Sequence, residues 1–414
     1  MSAASPHRPH IVVVNRWRER YADYARYVDH TTHAVTYVTT EVGTASVPST
    51  AAEIVTIEAT DDLDAVRAAI RDLAGRHGRP AHIVALKEDD LLVGAQLRVE
   101  WDCPGPRPAD LRPFRDKHTM TQTITKAGLP VPPSALIEHP RQVEEFAAVH
   151  GWPVVVKPLL GSSSAGVIRL DGPRDLTAPA FDEPLLAQAF NPHPIHHVDG
   201  VFTGTELSVV RSSHYLNTCM GFREGTVLGS VEDSDQKLSA IIAEASRQVM
   251  RALTDRPTVF HLELFVDQSS STCTFLEVGA RTGGAEIPFI WRELHGYDLM
   301  ENGFRIQLGL PPHEPPAHQR EEYGGWLLVP APAQRPCRIT EVTSMTGRHN
   351  GPYREEILPI GEVLPQADSY YEHVGGRFRF RGQSSAEVEM AIRATAADFR
   401  VAARPLQHAE LPGS

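Results

Sequence analysis

The chain has 414 residues, 41% hydrophobic and 22% charged, ordinary values for a soluble globular protein. Its 40 Lys and Arg against 52 Asp and Glu give a formal charge of -12, which argues against a nucleic-acid or anionic-membrane surface. The length is too great for one core, so two to three domains are expected, and the scattered Cys103, Cys219, Cys273 and Cys337 contain neither a CxxC pair nor a disulfide framework.

Met1 to Pro9 lacks the apolar stretch of a signal peptide, and no apolar run approaches the length of a bilayer span. A reducing, cytoplasmic setting is the expectation, with no membrane partner. His10 to Val14 and Ile54 to Ile57 read as buried strands. Asp61 to Leu73 follows with Leu63, Val66, Ile70 and Leu73 at helical spacing and Asp61 or Asp62 as N-cap. His82 to Leu86 is a third strand. Strands alternating with helices imply a parallel sheet, whose carboxyl edge near Lys87 to Asp90 is where ligands sit in such folds.

The proline-rich stretch Asp102 to Pro113 marks a boundary. Phe114 to Ala127 looks helical and stops at Gly128, placing Lys117 in the first turns, where a helix N-terminus favours anions. Gln142 to His150 is a short helix, and Pro153 to Lys157 a strand. Lys157 closes that strand, and a buried ammonium needs an anionic partner. The next segment, Gly161-Ser162-Ser163-Ser164-Ala165-Gly166, combines glycines that permit close backbone approach with N–H and hydroxyl donors, an anion-binding concavity. No Gly-Lys-Ser/Thr closes it, so it is not a Walker loop. Val167 to Leu170 is a strand, and Lys237 to Leu253 an amphipathic helix.

Phe260 to Val266 and Cys273 to Val278 read as two strands joined by the polar run Asp267 to Thr272. Folded about Ser270, they set Glu263 opposite Glu277. Alternation puts His261, Glu263 and Glu277 on one face, with Leu262, Leu264, Leu276 and Val278 on the other. Like charges about 5 Å apart at Cβ destabilise a sheet, and a divalent cation held together with nucleotide phosphates removes the conflict. Glu277 leads into Gly279-Ala280-Arg281-Thr282-Gly283-Gly284, where a guanidinium and backbone can meet an oxyanion. From about Tyr323 strands mix with a helix near Ala386 to Phe399.

Taken in order, Arg115-Asp116-Lys117, Val156-Lys157-Pro158, the 161–166 loop, His261-Leu262-Glu263 and Glu277 to Gly284 resemble the ATP-grasp superfamily. His261-Leu262-Glu263 with Glu286-Ile287-Pro288 looks most like the L-amino acid ligases. The resemblance implies a mixed α/β and α+β architecture in four parts: an N-terminal parallel-sheet domain (1–103), a linker helix and mobile lid (104–190), a catalytic antiparallel subdomain (191–320) and a C-terminal α+β subdomain (321–414). It implies that Lys117, Lys157, Gly161, Ser162, Ser163, Ser164 and Gly166 contact ATP phosphates, and that Glu263 and Glu277 hold Mg²⁺, with Mn²⁺ as an alternative. Arg281, with His261, Gly283 and Gly284, would serve the reacting acyl group. Gln188, Ala189 and Phe190 stand where the family grips adenine, without its usual glutamate. The ribose glutamate is also missing, and His193, His196 or Asp199 are the substitutes in reach. Gly279 replaces an asparagine that is often a further metal ligand.

The implied activity is ATP-dependent joining of a small-molecule carboxylate to an amine, two amino acids, through an acyl phosphate. A biotin-carboxylase-like subunit and an ATP-grasp phosphotransferase share the fold and are the enzymatic alternatives, and a nucleotide-binding regulator with a dead site is the non-enzymatic one. A homodimer is the base-rate expectation.

Overall fold

A computed structural model describes residues 8–17, 21–177, 180–317, 322–366 and 374–406. The start of the segment read against a signal peptide (1–7) and the boundary drawn at 320–321 lie outside these residues.

The first sheet is parallel, in the order β3-β2-β1-β4, with β1 His10–Asn15, β2 Ala34–Thr39, β3 Glu53–Thr56 and β4 Pro80–Ala85. β2 joins the three strands expected; it is buried along its whole length and mixes Thr with Val, so no alternation advertises it. Helix Leu63–His77 packs on one face through Val66, Ile70 and Leu73. Asp62 caps it by accepting the Asp64 and Ala65 N–H groups, and Gly78 ends it at φ 85°. Met300 and Phe304, from helix Leu299–Gln307, cover the other face. The carboxyl edge of the sheet thereby faces the rest of the chain.

A second, antiparallel sheet has the order β5-β8-β6-β7. Its strands are β5 Ser134–Ile137, β6 Val154–Pro158, β7 Ile168–Leu170 and β8 Leu185–Ala189. Helix Pro140–His150 backs it through Val143, Phe146 and Ala147.

The third sheet runs β13-β12-β9-β10-β11-β14-β18-β16 and is antiparallel throughout. These strands are β9 Ile195–Thr203, β10 Leu207–Tyr215, β11 Leu228–Glu232, β12 Pro257–Asp267, β13 Thr272–Gly279, β14 Tyr323–Pro330, β16 Arg354–Ile357 and β18 Val374–Gly382. A small sheet of β15 (Cys337–Val342), β17 (Val363–Leu364) and β19 (Val401–Pro405) lies beyond it. β11 pairs with β14, so one sheet carries both the Glu263–Glu277 hairpin and the C-terminal strands. Helices Lys117–Lys126 and Gln236–Leu253 pack on one face, and helix Ile287–Glu293 on the other.

Two features of this sheet are not displayed by the sequence. Residues 195–203 form β9, buried at seven central positions between β12 and β10. Its His196, His197 and Asp199 mask a strand because their burial is offset by hydrogen bonds that sequence does not display. The hairpin also carries a bulge after Glu263: Leu264 pairs with Phe275, leaving Leu276 as the extra residue. Phe275, 1% exposed, therefore takes the core position expected of Leu276.

Candidate functional site

Glu263 and Glu277 are register partners in the hairpin, because the bulge falls just beyond them and leaves their pairing intact. Glu263 accepts the Tyr215 hydroxyl at 2.9 Å, and His261 Nε2 lies 3.8 Å from the same oxygen. Burial alone would raise the Glu263 pKa, but the His261 and Tyr215 partners hold it below the usual carboxylate range. Glu277 is more open and has the Lys117 ammonium 3.9 Å away.

Asp116 caps the helix that begins at Lys117, accepting the Thr119 N–H. This aims Lys117 at the glycine–serine loop, where its Nζ donates to the Gly161 carbonyl at 3.1 Å. Lys157 is 3% exposed, and its Nζ donates to Gln188 Oε1 at 3.0 Å. Burial pushes the Lys157 ammonium down to about 8, with Glu277 and Glu263 pulling it up and Lys117 pushing it down. Gln188 Nε2 is buried without a hydrogen-bond partner. Phe190 lies under the Arg169 guanidinium, 4.4 Å from ring centroid to Cζ. The loop itself turns through left-handed Ser163 and Ser164 (both φ 55°) between Gly161 (φ 141°) and Gly166 (φ 69°). Ser162 Oγ donates to Asp89 at 3.4 Å and Arg223 Nη1 to the Ser163 carbonyl at 3.1 Å, so the loop rests against the first domain and helix Cys219–Arg223.

Arg281 does not stand alone. Its Nε and Nη2 reach Glu88 Oε2 at 2.8 and 2.6 Å, while Arg115 Nη1 reaches Glu88 Oε1 at 2.7 Å. Burial would raise Glu88, yet Arg281, Arg115 and Lys117 bring it to about 2. Gly279 leaves the room this needs: a Cβ there would touch Arg281 Cγ at 3.3 Å and Glu88 Oε1 at 3.6 Å. Glu88 lies at the carboxyl edge the sequence pointed to, but its role was hidden because both arginines are remote in sequence.

Behind the hairpin, Asp199 bridges two histidines, with His197 Nδ1 at 2.8 Å and His261 Nδ1 at 2.9 Å. His197 Nε2 in turn meets Ser230 Oγ at 2.7 Å. Burial would lower His261, but Asp199, with help from Glu263, raises it to about 9. Asp199 also accepts the Gly283 N–H at 3.1 Å. That amide is committed to the protein, which corrects the expectation that Gly283 offers it to an acyl oxygen.

Two cavities meet at the carboxylates. One, about 1460 Å³ with its open mouth, is lined by Lys117, Lys157, Gly161, Ser162, Ser164, Gln188, Ala189, Phe190, His193 and Leu276. The other, about 1550 Å³, is lined by Ser163, His261, Arg281, Gly283 and Gly284. Ser162, Ser164, Tyr215, Cys219, Glu263 and Glu277 border both. His196 is not brought in. It is paired with Leu264 on the opposite face of the sheet and buried against Asp233 at 3.1 Å, because alternation along β9 sends His197 to the cavity side instead. Asp199 is likewise consumed by its histidines, which leaves His193 as the one proposed ribose substitute on the cavity wall.

With this geometry in view, the comparisons with known proteins are specific. No protein-family profile matches the chain. The L-arginine-specific L-amino acid ligase of Bacillus subtilis is 25% identical over 248 residues, 56% of this chain and 59% of that protein. The D-alanine–D-alanine ligase of Streptomyces griseus is 29% identical over 104 residues, 22% of this chain and 25% of that protein. The matches thus span less than two-thirds of either relative. Among solved structures, the L-amino acid ligase of Bacillus licheniformis superposes with a TM-score of 0.75 at 18% identity, covering 96% of this chain and 99% of that one.

The chain has the ATP-grasp fold and is similar to L-amino acid ligases. The same ATP-grasp fold is seen in the biotin carboxylase domain of the Hydrogenobacter thermophilus 2-oxoglutarate carboxylase, with a TM-score of 0.69 at 16% identity over 95% of this chain and 90% of that one. The residues of this ATP-grasp chain fit a nucleotide and a hard cation. Lys157 is a buried ammonium without an ion pair, Gln188 Nε2 is an orphaned donor, and two facing carboxylates form an all-oxygen donor pair. Tyr215, bordering both cavities, and Glu88, lining the second, are candidate site residues that sequence reading missed. Among the described residues no helix is long and apolar enough to cross a membrane.

Proposed function

We propose that the chain is an ATP-dependent carboxylate–amine ligase that joins two amino acids through an acyl phosphate and releases ADP and phosphate. The observation that carries this reading is the shared wall of the two cavities. Glu263 and Glu277 lie on it, lysines line one side, and Arg281 lines the other. A nucleotide on the lysine side and an acyl substrate on the arginine side would meet across that wall.

Lys117 and Lys157 take the phosphate oxygens, which gives Lys157 a counter-charge and moves its pKa back up toward the ordinary value. Glu263 and Glu277 are the residues that would hold Mg²⁺, which when bound would supply charge neutralisation to phosphoryl oxygens. Arg281, fixed by two contacts to Glu88, presents its remaining donors to the acyl oxygen as the carboxylate is phosphorylated and as the amine attacks. Ser162 and its neighbours cover the junction and keep water from the acyl phosphate.

Phosphate release from ATP and Mg²⁺ over all pairs of proteinogenic amino acids, with mass spectrometry of the product, tests the reading. A dipeptide supports it. ATP cleavage that depends on bicarbonate, or a phosphorylated product without free phosphate, overturns it. Glu277→Gln is expected to abolish Mg²⁺-dependent turnover while leaving the thermal unfolding profile intact; full activity would refute the metal assignment.

A further inference from the structure

The cavity on the Arg281 side has a second kind of lining, apolar groups beside the charged ones. Trp17 and Val42 come from the first domain, Ile287 from the helix after the Gly283-Gly284 turn, Met300 from the helix under the parallel sheet, and Trp326 from β14. Val42, 37% exposed, is a large apolar side chain left open at this wall. Nothing in the chemistry of phosphoryl transfer calls for these groups.

The acids on the same wall are already engaged. Asp89 meets Arg16 at 3.0 Å and Arg115 at 3.3 Å, and Arg16 also meets Asp61 at 3.2 Å. Glu88 is held by Arg115 and Arg281. Arg377 Nη1 lies 3.2 Å from the Tyr21 hydroxyl and 3.5 Å from Glu286. Setting aside Glu263 and Glu277, the wall carries Arg16, Lys87, Arg281 and Arg377 against Glu88 and Asp89, and Asp61 and Glu286 behind it hold Arg16 and Arg377. A pair of amino acids brings two carboxylates, one that reacts and one that stays, and these meet the cations of the wall. A cationic side chain would meet like charge and find each acid already engaged.

We infer that the compartment beyond Arg281 receives a substrate side chain that is bulky and uncharged, an aromatic or branched aliphatic group. This rests on the ligase reading and narrows it. It also separates the chain from the Bacillus subtilis relative, whose name specifies L-arginine.

The test is phosphate release by the full chain with ATP and Mg²⁺, using phenylalanine, tryptophan, leucine and methionine against arginine, lysine, glutamate and alanine, singly and in pairs. At least about tenfold higher kcat/KM for pairs containing a bulky apolar member is expected, the scale of selection that apolar pocket contacts give. Val42→Glu adds an uncommitted acid to the wall and is expected to shift the arginine-to-phenylalanine ratio of kcat/KM about tenfold toward arginine. Trp17→Ala is expected to raise KM for the apolar substrate about tenfold and leave a small substrate such as alanine unaffected. Dipeptide formation that prefers arginine, lysine or glutamate, or variants that do not move the ratios, would overturn the compartment assignment and leave the ligase reading standing. No ATP turnover with any amino-acid pair would overturn both.

Discussion

Replacing Gly283 with alanine tests the site's architecture most directly. A Cβ at this buried position would lie inside the van der Waals envelope of Asp199 Oδ1, 2.6 Å from Ile287 Cδ1 and 2.8 Å from His261 Nδ1. None of these can yield cheaply: Asp199 and His261 are bound to each other, and Ile287 is 5% exposed in the core under the sheet. Overpacking of this kind costs about 1–3 kcal/mol, and pushing the turn away breaks the Gly283 N–H bond to a buried carboxylate, worth about 1.5–3 kcal/mol. The variant should therefore be destabilised by roughly 3–5 kcal/mol and lose about 100-fold in kcat/KM as Arg281 and His261 shift. Gly284→Ala is the internal control, since an added Cβ there meets nothing within 4 Å. Urea and thermal unfolding of both variants, with phosphate release, give the answer. A Gly283→Ala protein with the parent's unfolding midpoint would refute the close-packed turn.

Lys157→Met should abolish ATP-dependent phosphate release and yet stabilise the nucleotide-free chain. The folded pKa near 8 lies below the ordinary 10.5, a burden on the order of 3 kcal/mol at neutral pH that is relieved as pH rises from 8 to 10.5. Across that window the parent's urea midpoint should climb relative to the variant's, the His261 contribution being common to both; parallel profiles would refute the buried ammonium. Glu88, held near 2, contributes stability that is complete above pH 4.5 and lost as pH falls toward 2. Glu88→Gln leaves Arg115 facing Arg281 and should cost about 3 kcal/mol at pH 7, measured by urea unfolding at pH 7 and pH 3, with the difference shrinking at the lower pH. His261, raised to about 9, contributes stability that is full below pH 6.5 and lost as pH rises through 9. Asp199→Asn should return the His261 ring signal toward an ordinary histidine titration by NMR; an unshifted titration would dismiss Asp199 as the cause.

The hairpin was legible because its information is local: two apolar runs and a polar turn centred on Ser270 set the Glu263–Glu277 register. The bulge was not, since a strand with Phe275 and Leu276 adjacent gives no sign of which one the core selects until the helix Gln236–Leu253 is in place. β9 was hidden for a different reason. A buried strand is recognised by apolar residues, whereas His196, His197 and Asp199 are buried by pairing with Asp233, Ser230 and His261, partners far along the chain. The one local hint is Gly200, where a Cβ would clash with the Val209 backbone across the strand pair. Glu88 shows the same limit. Its place at the carboxyl edge could be read, but its function depends on two arginines that only tertiary structure delivers.

Those arginines belong to a chain of alternating charge: Asp61, Arg16, Asp89, Arg115, Glu88 and Arg281, each within 3.3 Å of the next. It starts beside the parallel sheet, passes the linker ahead of Lys117, and ends at the turn that lines the second cavity. Ser162 of the glycine–serine loop joins it at Asp89. An isolated Arg281 would swing between solvent and any nearby carboxylate, including Glu277, and compete with a bound cation. Tying it to Glu88 removes that competition and leaves its free donors oriented before substrate arrives. The same ties link the first domain, which holds none of Glu263, Glu277, Lys117 and Lys157, to the candidate site: without Glu88 the Arg281 guanidinium keeps, among the described residues, only its bond to the Thr282 carbonyl, and without Asp89 the loop over the junction loses one of the three anchors given by Lys117, Asp89 and Arg223.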